Sequence, residues 1–336
     1  PGGSAGAISP GPMLTALKAV YATISTDNGH LTDPDAPNGG SEQSWALGHP
    51  EKMVDFAYRA LHVSTVAAKD IVRDFYGTKA SQSYFVGCSQ GGHHALMEAT
   101  RFPEDYDGIV AGAFGSNWTG VQAAYVYEAQ AALNDKASNL PAPKLALVGK
   151  AAMAACDAQD GVKDGIIGNP RLCKFDPAVL QCKAGDAADC LTVPQVEAVK
   201  KLYQGPRNSS GKQIFAGLEP GSEFLWGFLV AGPGTFLRGD FFKYVVYDGK
   251  DWDWHKMSLD SDVAAAESKL SADIDNRNPD LSKFAGRGGK LIMYNGWADA
   301  LIQPGQAIDY YEDVAKTAGG GADKFTRLYL APGMGH

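Results

Sequence analysis

The sequence predicts an α/β protein built on a parallel sheet, and three observations carry that prediction. Strand-like and helix-like segments alternate over residues 51–113 and resume from about residue 290. The strand-like runs, at 84–86, 108–113, 291–294 and 325–331, are short and apolar. The first of them leads into Gly87-Cys88-Ser89-Gln90-Gly91, a G-x-S-x-G pattern, and an amphipathic segment follows at once. Strand, sharp turn and helix in that order are the context of a nucleophile elbow.

Residues 1–12 are rich in Gly, Pro, Ser and Ala and read as loop; a short helical stretch and an apolar run at 21–24 follow. Residues 26–50 are polar and rich in Gly and Pro. Over 51–76 the apolar residues Met53, Val54, Phe56, Ala57, Ala60, Leu61, Ala67, Ile71 and Val72 recur at threes and fours, which predicts a helix closed by Gly77. The helix after the elbow places Ala95, Leu96, Ala99 and Phe102 on one face and stops at Pro103. From about Ser116 the alternation is lost. Residues 116–280 hold most of the tryptophans and four of the five cysteines, and read as an insertion. A strand at 291–294, a helix at 307–318 and a strand at 325–331 complete the alternation. The domains are therefore a core in two parts, 1–115 and 281–336, around an inserted 116–280.

A chain of 336 residues with 45% hydrophobic and 20% charged side chains is expected to fold around a large core. The net charge of −8 and the lack of a basic tract argue against a nucleic-acid partner. The apolar run 224–230 is too short to span a bilayer, so no membrane partner is expected. No signal peptide is visible. Cys156, Cys173, Cys182 and Cys190 crowd together without a C-x-x-C pair, so local disulfides are favoured over zinc. Disulfides imply an oxidising compartment, but spacing does not choose among the three pairings. Cys88 is left over.

A serine hydroxyl needs a neighbouring base, and the base an orienting carboxylate. On an elbow-bearing sheet these arrive on loops after later strands, in the order Ser, Asp, His. Asp299 follows one late strand through Asn295-Gly296-Trp297-Ala298, and His336 follows the last strand through Pro332-Gly333-Met334-Gly335. His93 and His94, on the elbow helix, read as packing or surface residues. The backbone N–H of Gln90, at a helix start, suits an oxyanion. In Cys-Asp-Ala-Gln-Asp-Gly-Val-Lys-Asp-Gly-Ile-Ile-Gly (156–168), Asp157, Asp160 and Asp164 offer hard oxygen ligands. The spacing is not that of an EF-hand, and Asp-Gly pairs also form plain turns. Trp226, Phe241, Phe242, Trp252 and Trp254 read as core of the insertion ahead of ring-stacking residues, and Arg238 as a surface arginine or a carboxylate partner.

Taken together, these residues resemble the tannase and feruloyl esterase family, which also includes the hydrolase of mono(2-hydroxyethyl) terephthalate. The motifs are Ser-Thr-Asp-Asn-Gly-His at 25–30, Gly-Cys-Ser-Gln-Gly-Gly at 87–92, Arg-Phe-Pro-Glu-Asp-Tyr-Asp-Gly-Ile-Val-Ala-Gly-Ala at 101–113, the stretch 157–166, Asn-Gly-Trp-Ala-Asp at 295–299 and Gly-Met-Gly-His at 333–336. The resemblance implies an α/β-hydrolase fold with a lid inserted after the elbow, and Ser89, Asp299 and His336 as nucleophile, acid and base. It implies Ca2+ held by Asp157, Asp160 and Asp164 with the carbonyls of Val162 and Ile166. It implies disulfides Cys156–Cys173 and Cys182–Cys190, and oxyanion donors from Gln90 and Gly3. The expected activity is hydrolysis of small aromatic esters through an acyl-enzyme, in a secreted or periplasmic protein. A peptidase or other carboxylesterase, and a non-catalytic binding protein, are the alternatives. The family joins the residue at Cys88 to a cysteine directly after the catalytic histidine, at a position 337 absent here. Together with the glycine-rich start at Pro1-Gly2-Gly3, that leads us to expect a fragment truncated at both ends.

Overall fold

The structure, a computed structural model, describes residues 6–31, 43–230 and 238–336. Four strands form one sheet: β1 Tyr84–Cys88, β2 Gly108–Gly112, β3 Lys290–Gly296 and β4 Thr326–Ala331. They lie in the order β1-β2-β3-β4, all parallel. Cys88 pairs with Gly112, Gly112 with Tyr294, and Tyr294 with Tyr329. This register brings the C-terminal ends of β1, β3 and β4 to one edge, where open α/β sheets carry their ligands.

Helix α1 spans Pro10–Lys18. Residues 10–12, expected in a loop, open it instead, because proline at the first helical position gives up an N–H that has no helical partner. Helix α2 (Pro50–Val54), a π turn (Asp55–Arg59) and α3 (Ala60–Tyr76) run on from one another, and Gly77 ends the stretch at φ 69°. Only part of the expected apolar face is buried: Met53, Phe56, Ala57 and Leu61 are, whereas Ile71 is 67% exposed. Helix α4, Gln90–Arg101, follows the elbow and stops before Pro103.

Helices then dominate: α5 Trp118–Leu133, α6 Ala142–Cys156, α7 Val193–Gln204, α8 Gly227–Val230, α9 Ser261–Ile274 and α10 Ser282–Gly286. Among the described residues no strand lies between β2 and β3, only isolated bridges. Helix α5 is apolar on nearly every side and so is buried on nearly every side, against α7, α8 and α9. The last helix, α11, spans Pro304–Thr317. It starts three residues before the expected 307, again with proline in its first turn.

Among the described residues, the sheet core lies on one side. Leu96 and Ala99 of α4, Ile109 and Ala111 of β2, Leu291 and Met293 of β3, and Tyr310 and Val314 of α11 form it. Each such large side chain contributes about 1.5–3 kcal/mol by leaving water. Strand β3 alternates as this demands, with Leu291 and Met293 in and Lys290 and Ile292 out. On the other face Tyr84, Val86, Ile292 and Tyr329 are all exposed. Parallel sheets are covered on both faces as a rule, and among the described residues this one is not. Two further clusters fill the helical region, one centred on Trp226, Leu202 and Leu140, the other on Phe56, Phe241 and Phe242. The latter draws on residues from both sides of Ser116.

Disulfides join Cys156 to Cys173 and Cys182 to Cys190, the pairing the resemblance implies, and Cys88 is an exposed free thiol. Among the described residues, no helix is long and apolar enough to cross a membrane.

Candidate active site

Ser89 sits between β1 and α4 at φ 60° and ψ −121°, a conformation that non-glycine residues rarely adopt. The surrounding backbone imposes it. The Ser89 N–H donates to the carbonyl of Gly112 at 3.0 Å, and the Ser89 carbonyl accepts from the His93 N–H at 3.0 Å. A Cβ on Gly87 would stand 2.3 Å from the Gly91 carbonyl oxygen, and one on Gly92 would stand 2.1 Å from that of Gly112. Gly91 itself faces open space. Two glycines therefore let the turn close, and only one of them belongs to the pentapeptide.

Asp299 lies in the turn after β3 and is fully buried. Its Oδ1 accepts from the backbone N–H groups of Leu301 and Ile302, each at 2.9 Å. Asn295 Nδ2 braces the same turn by donating to the Ile302 carbonyl at 3.0 Å. The histidine loop docks directly on it. The Trp297 N–H donates to the Ala331 carbonyl and the Ala298 N–H to that of Met334, both at 2.9 Å. Gly296 permits this approach, since a Cβ there would lie 2.1 Å from the Met334 oxygen.

The two loops bring His336 between the other two residues. Its Nδ1 lies 3.0 Å from Asp299 Oδ2, and its Nε2 lies 2.9 Å from Ser89 Oγ. With the Nδ1 proton facing the carboxylate, Nε2 is left as the acceptor for the serine hydroxyl. The three residues come from the ends of β1, β3 and β4, so the parallel register brings them together from 247 residues apart in sequence.

The Gln90 backbone opens α4, and its side chain is buried, donating to the Phe56 carbonyl at 3.1 Å. Gly3 lies outside the described residues. His93 and His94 are packing residues: His93 lies 3.0 Å from the Gly115 carbonyl, and burial lowers the His94 pKa to about 3. Trp226, Phe241 and Phe242 are core, while Trp252 and Trp254 pack partly buried against it. The Arg238 guanidinium lies 5.9 Å from the centre of the Trp254 ring. A cavity of about 420 Å3 borders Trp297, Ala298, Gly333 and Met334, with Ile166 and Phe224 opposite. Neither Ser89 nor His336 lines it.

The acidic loop at 157–166 folds on itself. Asp157 Oδ1 accepts from the Asp164 and Gly165 N–H groups, Asp160 Oδ1 from Val162, and Asp164 Oδ1 from Ile166. Gly161 and Gly165, at φ 92° and 80°, supply the curvature. Gly168 lies so close under Asp160 Oδ2 that a Cβ would meet it at 2.3 Å. The donor set suits a hard cation, although its three carboxylates are not drawn together as a ready triple. The only such triple among the described residues is His62, Glu98 and Asp105. There His62 Nδ1 lies 2.6 Å from Asp105 Oδ2, with Lys69 Nζ 3.8 Å from Oδ1. Burial, and then the charge of Asp105, push the Glu98 pKa up to about 9. A neutral Glu98 and the Lys69 ammonium already balance this cluster.

Residues 2–336 match the family model described as tannase and feruloyl esterase. An uncharacterized esterase of Xanthomonas campestris pv. campestris is 36% identical over 96% of this chain and 60% of its own length. A probable feruloyl esterase B-1 of Neosartorya fischeri is 33% identical over the whole chain and 63% of its own length. The chain thus spans about three fifths of these relatives. The crystal structure of feruloyl esterase B from Aspergillus oryzae superposes with a TM-score of 0.92 at 30% identity, over all of this chain and 67% of that one.

Proposed function

Because the chain belongs to the tannase and feruloyl esterase family, we propose that it is a serine carboxylic ester hydrolase acting on esters of hydroxycinnamic, gallic or related aromatic acids. The observation that carries this reading is the hydrogen-bonded chain from Ser89 through His336 to buried Asp299. His336 Nε2 takes the hydroxyl proton as Ser89 Oγ attacks the ester carbonyl. Asp299 stabilises the imidazolium and keeps its ring oriented. The Gln90 N–H, at the positive end of α4, stabilises the tetrahedral oxyanion. The oxyanion collapses and the C–O bond breaks, with His336 returning the proton to the leaving alcohol. Water, deprotonated by the same nitrogen, then releases the acid from the acyl-enzyme.

The names of the relatives favour aromatic acids. In this reading the helical segment 116–280 is a lid over the serine. The loop 157–166 holds Ca2+ through Asp157, Asp160 and Asp164 with the carbonyls of Val162 and Ile166. The two disulfides support a secreted or periplasmic protein.

A panel of methyl ferulate, methyl gallate, aliphatic esters and amides tests the reading. The aromatic methyl esters are expected to be cleaved fastest, with turnover reduced to background in Ser89→Ala. A preference for aliphatic esters or amides would replace the substrate class. Turnover of none of them, or turnover surviving in Ser89→Ala, would overturn the mechanism.

A further inference from the structure

Beneath the turn that carries Asp299 lies a carboxyl group that the ester chemistry does not use. Glu128, on the buried helix α5, is 1% exposed, and Gln303 beside it is fully buried. Gln303 Nε2 donates to Glu128 Oε1 at 2.7 Å. The other oxygen of each group, Glu128 Oε2 and Gln303 Oε1, is buried without a hydrogen-bond partner. With both Glu128 and Gln303 in their usual forms, two acceptors would be sealed from water, each at a cost of about 1–3 kcal/mol. Burial holds the Glu128 pKa well above the usual carboxylate range, against the lowering effect of the Gln303 hydrogen bond.

Protonation resolves both orphans together. A carboxylic acid accepts on one oxygen and donates from the other, while a carboxamide donates from nitrogen and accepts on oxygen. The two patterns are complementary, and the atoms left unpaired are those that a second bond would join.

The location gives this pair a task. Gln303 ends the turn whose N–H groups at 301 and 302 hold Asp299 Oδ1. Tyr125, three residues before Glu128 on α5, donates to the Leu301 carbonyl at 2.9 Å. Helix α5 therefore grips the acid turn at two successive points, and both come from one face of the helix. We propose that Glu128 is an uncharged positioning residue. Glu128 Oε2–H donates to Gln303 Oε1 while Gln303 Nε2–H donates to Glu128 Oε1, and this cyclic acid–amide pair fixes the turn that aims Asp299 at His336. The inference rests on the reading of Asp299 as the residue that orients His336.

Glu128→Gln and Glu128→Met separate this role from a general structural one. Glutamine restores both bonds without a charge, so kcat on methyl ferulate is expected to stay within about twofold. Methionine has similar volume and no polar atom; kcat is expected to fall about tenfold or more with KM little changed. Independently of either variant's activity, the infrared difference spectrum of wild type minus Glu128→Gln at neutral pH is expected to show a protonated-carboxyl C=O band. A missing band, an equal loss in both variants, or unchanged kcat in Glu128→Met would each overturn the proposal. If Glu128→Met does not fold, Glu128→Gln and the spectrum still decide it. Ser89→Ala, run alongside, separates failures: turnover surviving there refutes the esterase reading and leaves the spectrum to judge the pair.

Discussion

Ser89 occupies a backbone conformation that costs on the order of 1–3 kcal/mol for a residue with a side chain. The fold sustains that cost through Gly87 and Gly92, whose missing Cβ atoms leave room for two carbonyl oxygens. The pentapeptide was visible in the sequence, yet it gives its two glycines equal weight, and the packing does not. Gly87→Ala is expected to destabilise the protein by roughly 3 kcal/mol or more, because the clash is with backbone that cannot yield. Gly91→Ala faces open space inside a helix and is expected to change stability by no more than about 1 kcal/mol, in the stabilising direction. Denaturant unfolding of the two variants tests this contrast, and equal losses would contradict it. Gln303 and Glu128 were invisible at this scale. The available signal was a single acidic residue in the apolar stretch Trp118–Leu133, which sequence patterns treat as one polar residue among many.

Among the elements, those with a period were legible and those without were not. Strands β1 to β4 and helix α4 lie within a residue or two of where alternation and proline put them. Helix α5 has no polar face, so no periodicity separates it from any other apolar segment. Four clustered cysteines predicted disulfides without predicting their pairing, because that depends on how the loop 157–166 returns to α6. The same loop touches the candidate site. Gly333, on the histidine loop, lies so close to Ile166 that a Cβ would stand 3.2 Å from its Cγ2. If the loop holds Ca2+ as proposed, this contact ties the metal site to the chain that leads to His336. Chelation is accordingly expected to lower Tm by several degrees, with full recovery on adding Ca2+. Asp157→Asn is expected to lower Tm to the same extent and to abolish its response to the chelator. A melt indifferent to chelation would leave these aspartates as turn formers alone.

At the scale of the whole molecule, a parallel sheet places the ends of β1, β3 and β4 on one edge. Chain order and the parallel class were readable from alternating segments, and that order selected Asp299 and His336 from many acids and seven histidines. The exposure of Tyr84, Val86, Ile292 and Tyr329 on one sheet face, seen among the described residues, was not readable, since a parallel strand is expected to be apolar on both sides. In the proposed mechanism His336 activates Ser89 across this edge. Intact-mass analysis after treatment with a fluorophosphonate measures that activation. We predict a single adduct, mapped to Ser89, forming in the wild-type chain and lost in both Ser89→Ala and His336→Ala. An adduct at another residue, or labelling that survives in His336→Ala at the wild-type rate, would contradict it.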